Sequence, residues 1–84
     1  MRTKAIRINL ENGLDARPVA LLVQEASKYE CKIYMGSEDK KVNAKSIMGM
    51  MTLGLNNGEE LIVSADGEDE EQAVDNIEKF LTGK

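Results

Sequence analysis

Eighty-four residues with 42% apolar side chains are read as one domain, residues 1–84, with no room for a second and only a modest core. The net charge of −4 argues against binding nucleic acid by neutralising its phosphates, and no apolar run approaches the roughly 18 residues that suggest a membrane span, nor is there an N-terminal signal-peptide region. The lone Cys31 has no internal disulfide partner, and without any histidine to activate it the expectation is a buried, inert thiol in a cytoplasmic protein.

Residues 3–10 alternate, with Ile6, Ile8 and Leu10 facing one way, and predict a half-buried strand that Asn12-Gly13 breaks. Residues 16–28 follow helical spacing: Val19, Leu22, Val23 and Ala26 form one stripe, and Pro18 sits in the first turn, where its missing N–H removes no hydrogen bond. Alternation returns at 31–35, with Cys31, Ile33 and Met35 on one face. Gly36 to Asp39 then reads as a hairpin turn into a short strand at 40–43. Ser46 is a favoured N-cap residue, so a brief helix is expected to start there, kept short by Gly49 and Gly54.

Asn56-Asn57-Gly58 marks a turn, and 60–65 a last strand with Leu61, Val63 and Ala65 on one face. Asp69 with Gln72 three residues on matches a capping box. The helix behind it should bury Ala73, Val74, Ile77, Phe80 and Leu81, with Gly83 as its terminator. The periodicity thus predicts a two-layer α/β domain in the order strand, helix, strand, strand, helix, strand, helix.

Two segments narrow the reading. Gly13-Leu14-Asp15-Ala16-Arg17-Pro18 and Lys45-Ser46-Ile47-Met48-Gly49, with Lys40 to Asn43 beside the second, resemble the signatures of HPr, the small phosphocarrier of the bacterial sugar phosphotransferase system. The resemblance spans essentially the whole chain and is closest in character to the Crh-like paralogues, which lack the active-site histidine. It implies an open-faced β-sandwich of α+β type: a four-stranded antiparallel sheet with three helices on one face. In the family the first segment reads G-L/I-H-A-R-P, and its histidine carries the phosphoryl group. Here Asp15 holds that position and no histidine occurs anywhere, so relay through an imidazole is excluded by covalent chemistry.

Asp15 leaves three roles open. It can accept orphan N–H bonds at the helix start. It can act as a partial, permanent mimic of the phosphorylated histidine. Or it can itself be an acyl-phosphate nucleophile, against which stands the lack of the acidic cluster that usually holds Mg²⁺ at such sites. Arg17 is open between an exposed residue paired with Asp15 and a contact for phosphate or for a partner's acidic group.

The second segment matches the HPr pattern without a departure. The resemblance implies that Ser46 is phosphorylated by an ATP-dependent HPr kinase/phosphorylase. A serine that caps a helix is accessible, and added charge there is favourable. Within a short helix Ile47, Met48 and Met51 share one face. They are expected at the surface as a docking patch, as the family uses them, while Met50, Leu53 and Leu55 supply the core.

The partner-binding set is then Asp15, Arg17, Lys45, Ile47, Met48 and Met51. Its partners would be the kinase, a catabolite-control repressor of the LacI type and phosphotransferase-system enzymes. No enzyme activity, metal or cofactor is called for. Alternatives are a phosphocarrier HPr, natural or engineered, with Asp15 at the phosphorylation position, and a decoy that occupies HPr partners without passing phosphate.

Overall fold

The computed structural model describes residues 1–10, 16–37, 39–53 and 57–83. Its elements are β1 (Arg2–Arg7), α1 (Ala16–Ala26), β2 (Lys32–Gly36), β3 (Lys41–Asn43), α2 (Ile47–Met51), β4 (Glu60–Asp66) and α3 (Glu70–Thr82). The strands form one antiparallel sheet in the order β1-β4-β2-β3. This is a four-stranded α+β fold with three helices, as expected. Asp15, Asn12-Gly13, Gly54, Leu55 and Asn56 lie outside the described residues.

The alternation of apolar residues decides which face the helices cover. Ile6, Ile33, Met35, Leu61, Val63 and Ala65 are buried, while their strand neighbours Ala5, Arg7, Lys32, Tyr34, Glu60 and Asp66 are exposed. The register lines up Thr3, Ser64, Tyr34 and Asn43 as one row across the open face. On the covered face α3 lies on β1 and β4, α2 on β3, and α1 contacts both other helices. Val19, Leu22 and Ala26 of α1 and Ala73, Val74, Ile77 and Leu81 of α3 complete the core. Val23 and Phe80, expected to be buried, are only half-buried and pack on its rim.

Element ends differ from expectation for local reasons. β1 stops at Arg7, because the Ile8 N–H donates to the Glu59 carbonyl (2.9 Å) and its carbonyl accepts from Gly58 N (2.8 Å). That leaves Ile8 buried but off the ladder. α1 stops at Ala26: Ser27 N still bonds the Val23 carbonyl at 2.9 Å, with Ser27 Oγ sharing it at 2.8 Å, but Lys28 N and Tyr29 N turn to the i−3 carbonyls of Glu25 (3.2 Å) and Ala26 (3.3 Å), which tightens and ends the helix. Gly83 ends α3 at φ 75°, in the left-handed region, with its N–H directed at the Lys79 and Phe80 carbonyls.

The capping box at Asp69 is not formed. Asp69 occupies the N-cap and its carbonyl accepts from Ala73 N at 2.9 Å, but its side chain makes no bond to its own helix. The carboxylate instead accepts the backbone N–H groups of Glu30 (2.9 Å) and Cys31 (3.0 Å) at the entrance to β2. Glu70 takes over locally, accepting from Gly67 N at 3.2 Å. A side chain at residue 67 would place Cβ 2.6 Å from Cys31 Cβ, so only glycine permits this close approach of the two loops.

Candidate functional site

The hairpin of β2 and β3 delivers the chain to the second motif through a tight turn. Asn43 Oδ1 accepts from Lys45 N (2.9 Å), and the Asn43 carbonyl accepts from Ser46 N (3.0 Å). The Ala44 N–H donates to the Ile33 carbonyl at 2.9 Å, which ties the turn to β2 and buries Ala44. Ser46 is thereby held in an extended conformation, φ −105° and ψ 113°, at the N-cap of α2. Its Oγ accepts from Gly49 N at 3.3 Å and its carbonyl from Met50 N at 3.0 Å.

The residue is exposed, so its hydroxyl is presented to solvent while its backbone is fixed. An added Cβ at Gly49 would meet Ser46 Oγ at 3.5 Å, an ordinary van der Waals contact. Thr52 closes the other end, its Oγ1 donating to the Gly49 carbonyl at 2.6 Å, and Lys40 Nζ reaches the Thr52 carbonyl at 3.3 Å. With only five residues, α2 contributes little macrodipole, and the geometry at Ser46 owes more to the Asn43 turn than to helix length.

The apolar residues of α2 divide by face. Met50 points into the core and is fully buried, whereas Ile47, Met48 and Met51 are 46%, 79% and 55% exposed. Leu53 packs against the core edge. A contiguous apolar surface one turn long therefore lies directly after the exposed serine. Leu21 on α1, at 47% exposure, is a further large apolar side chain left at the surface. It falls off the 19-22-23-26 stripe, which is the signal that could have revealed it.

Lys45 is half-buried, and its ammonium donates to the backbone carbonyl of Tyr29. Its amine thus braces the Ser46 turn against the segment that joins α1 to β2 as well as standing near the surface. Arg17 is exposed in the first turn of α1. The role of Asp15 beside it falls outside the described residues.

Titration behaviour sets the remaining reactive groups apart. Burial pushes the Cys31 thiol up to about 11, aided by the neighbouring Asp69 carboxylate, so almost no thiolate exists near neutrality. The backbone N–H of Glu30, followed by the bonds from Cys31, holds Asp69 below the usual carboxylate range. Burial raises the Tyr29 phenol, which donates to Glu25 at 2.9 Å and accepts from Asn76 Nδ2, bridging α1 and α3. Among the described residues no group of three or more His, Cys, Asp or Glu could hold a metal ion, and no helix is long and apolar enough to cross a membrane.

The structure is an open-faced α+β domain in which a serine caps a short helix beside an exposed apolar face. The model of the PTS HPr component phosphorylation site matches residues 2–83, and the chain belongs to the HPr family. It is 41% identical over 81 residues to the HPr-like protein Crh of Bacillus subtilis, covering 96% of this chain and 95% of the relative. To the phosphocarrier protein HPr of Buchnera aphidicola it is 45% identical over 82 residues, covering 98% and 96%. The crystal structure of a phosphocarrier protein HPr from Bacillus anthracis superposes with a TM-score of 0.92 at 39% identity, over 95% of each chain. Proteins of this family are phosphocarriers or adaptors that work through partner proteins, and not enzymes.

Proposed function

We propose that residues 1–84 form a single regulatory domain that is switched by phosphorylation of Ser46. An ATP-dependent HPr kinase/phosphorylase is the modifying partner, and a LacI-type catabolite-control repressor is the target that the phosphorylated form binds as a corepressor. The observation that carries this reading is the exposed, backbone-fixed Ser46 hydroxyl with Ile47, Met48 and Met51 exposed beside it. The phosphate adds about −1.5 to −2 charges at a place where the fold has room for them, so the change is read as surface charge rather than as unfolding. The target is the repressor and not its DNA, in keeping with the net charge of −4. The protein acts in the cytoplasm, where the unpaired Cys31 stays reduced.

Without histidine the chain does not relay phosphate through an imidazole of its own. A second reading, a phosphocarrier using Asp15, draws support from the 45% identity to a protein named phosphocarrier HPr. Phosphotransferase-system enzymes would be the partners in that case, with Arg17 beside the phosphoryl group. One experiment separates the two. Incubation with ATP and the serine kinase should place label on Ser46, and incubation with phosphoenolpyruvate and the upstream kinase of the transport system should place none. A hydroxylamine-sensitive label from phosphoenolpyruvate, with Ser46 bare under ATP, would reverse the assignment.

A further inference from the structure

Sulfur is distributed unevenly in this molecule. Met35 and Met50 are fully buried, and Cys31 is buried with its thiol held protonated near neutrality. Met48 and Met51, three residues apart on the exposed face of α2, are 79% and 55% exposed, and they follow the Ser46 hydroxyl directly. Both thioethers that face solvent on this helix therefore belong to the surface assigned above to partner docking, while the core sulfurs are shielded.

We propose that Met48 and Met51 are a reversible oxidation site, at which a hydroperoxide converts the apolar face beside Ser46 into a polar one and suppresses partner docking. This inference rests on the reading of that face as the docking surface for the serine kinase. In each event a sulfur lone pair attacks one peroxide oxygen. The S–O bond forms as the O–O bond breaks, the sulfur gives up two electrons, and the departing hydroxide (alkoxide from an organic hydroperoxide) takes the proton from the transferred oxygen to leave as water (or an alcohol). The product is a sulfoxide, whose strong dipole must be desolvated whenever a partner covers it. Because neither side chain supports the core, the fold survives the change, and methionine sulfoxide reductases acting on both epimers can restore the thioethers.

The test treats the folded protein with hydrogen peroxide, removes the peroxide with catalase, and maps oxygen uptake by peptide mass. One oxygen is expected on each of Met48 and Met51, and on the 81% exposed Met1, with Met35 and Met50 unmodified. ATP-dependent labelling of Ser46 by the HPr kinase/phosphorylase, at sub-saturating protein, should then fall at least about tenfold, as expected when an interface loses a buried apolar side chain. Sulfoxide reductases should restore it. A Met48→Leu/Met51→Leu double variant still oxidises at Met1, and its labelling rate after peroxide should equal its own rate before. Unchanged labelling of the oxidised protein, oxidation of Met35 or Met50 as fast as Met48, or an equal peroxide effect in the double variant would overturn the proposal alone. If the untreated protein takes no label at all, the Ser46 reading fails and the proposal falls with it.

Discussion

Asp69 and Cys31 are joined across the molecule: Asp69 Oδ1 accepts the Cys31 backbone N–H at 3.0 Å, 38 positions away in the chain. The same carboxylate takes the Glu30 N–H at 2.9 Å, so one side chain at the head of α3 satisfies two donors at the entrance to β2. The pair fixes how the last helix sits against the hairpin that carries the Ser46 turn.

Asp69→Asn should therefore lower Tm by a few degrees and reduce the acid sensitivity of the fold. The Asp69 carboxyl titrates below its ordinary 3.8, because the charged form is preferred in the folded state. Its contribution is present above the unfolded-state value and is lost as pH falls through the folded one. Thermal melts from about pH 6 down to about pH 3 should show a steeper fall for the wild type than for the variant. Equal slopes would show that the carboxylate charge plays no part.

Cys31 should be inert in the native state. A disulfide-exchange reagent at neutral pH should react with it only on the timescale of unfolding, and rapidly once denaturant is added. Its raised value, about 11 against 9.0, also predicts a loss of stability as pH rises from about 9 towards 11, since the unfolded chain releases the proton first. Rapid stoichiometric labelling of the folded protein would contradict its burial.

The two faces of α2 should respond oppositely to substitution. Met50→Ala removes a fully buried side chain and should cost about 2–5 kcal/mol in denaturant melts. Met48→Asp and Met51→Asp alter exposed positions and should stay within about 0.5 kcal/mol of the wild type while weakening binding to the kinase and the repressor. A large stability loss at Met48 would place it in the core instead.

Ser46→Ala should abolish ATP-dependent labelling and phosphate-dependent repressor binding. The lost bond from Gly49 N should cost about 1 kcal/mol, leaving a folded protein by circular dichroism. Repressor binding that survives undiminished in this variant would remove phosphoserine from the mechanism.

Much of this molecule is local in origin and was therefore legible in the sequence by itself. The two-residue period at Ile33 and Met35, and at Leu61, Val63 and Ala65, determined which face of the sheet is covered, because side chains alternate along any strand. The serine at 46 determined where α2 begins, because an N-cap bonds to a donor only three residues away. The missing histidine is likewise a property of the sequence alone.

Only the tertiary structure decided the use made of Asp69 and Lys45. Spacing to Gln72 suggested a bond within α3, yet the Glu30 and Cys31 amides, brought close by packing, won the carboxylate. Lys45 likewise turns its ammonium to the Tyr29 carbonyl, in the segment between α1 and β2, rather than simply outward. The insertion of β4 between β1 and β2 belongs to the same class, since strand order depends on contacts between distant segments. Periodicity reports which way a side chain faces, but not which distant backbone arrives to meet it.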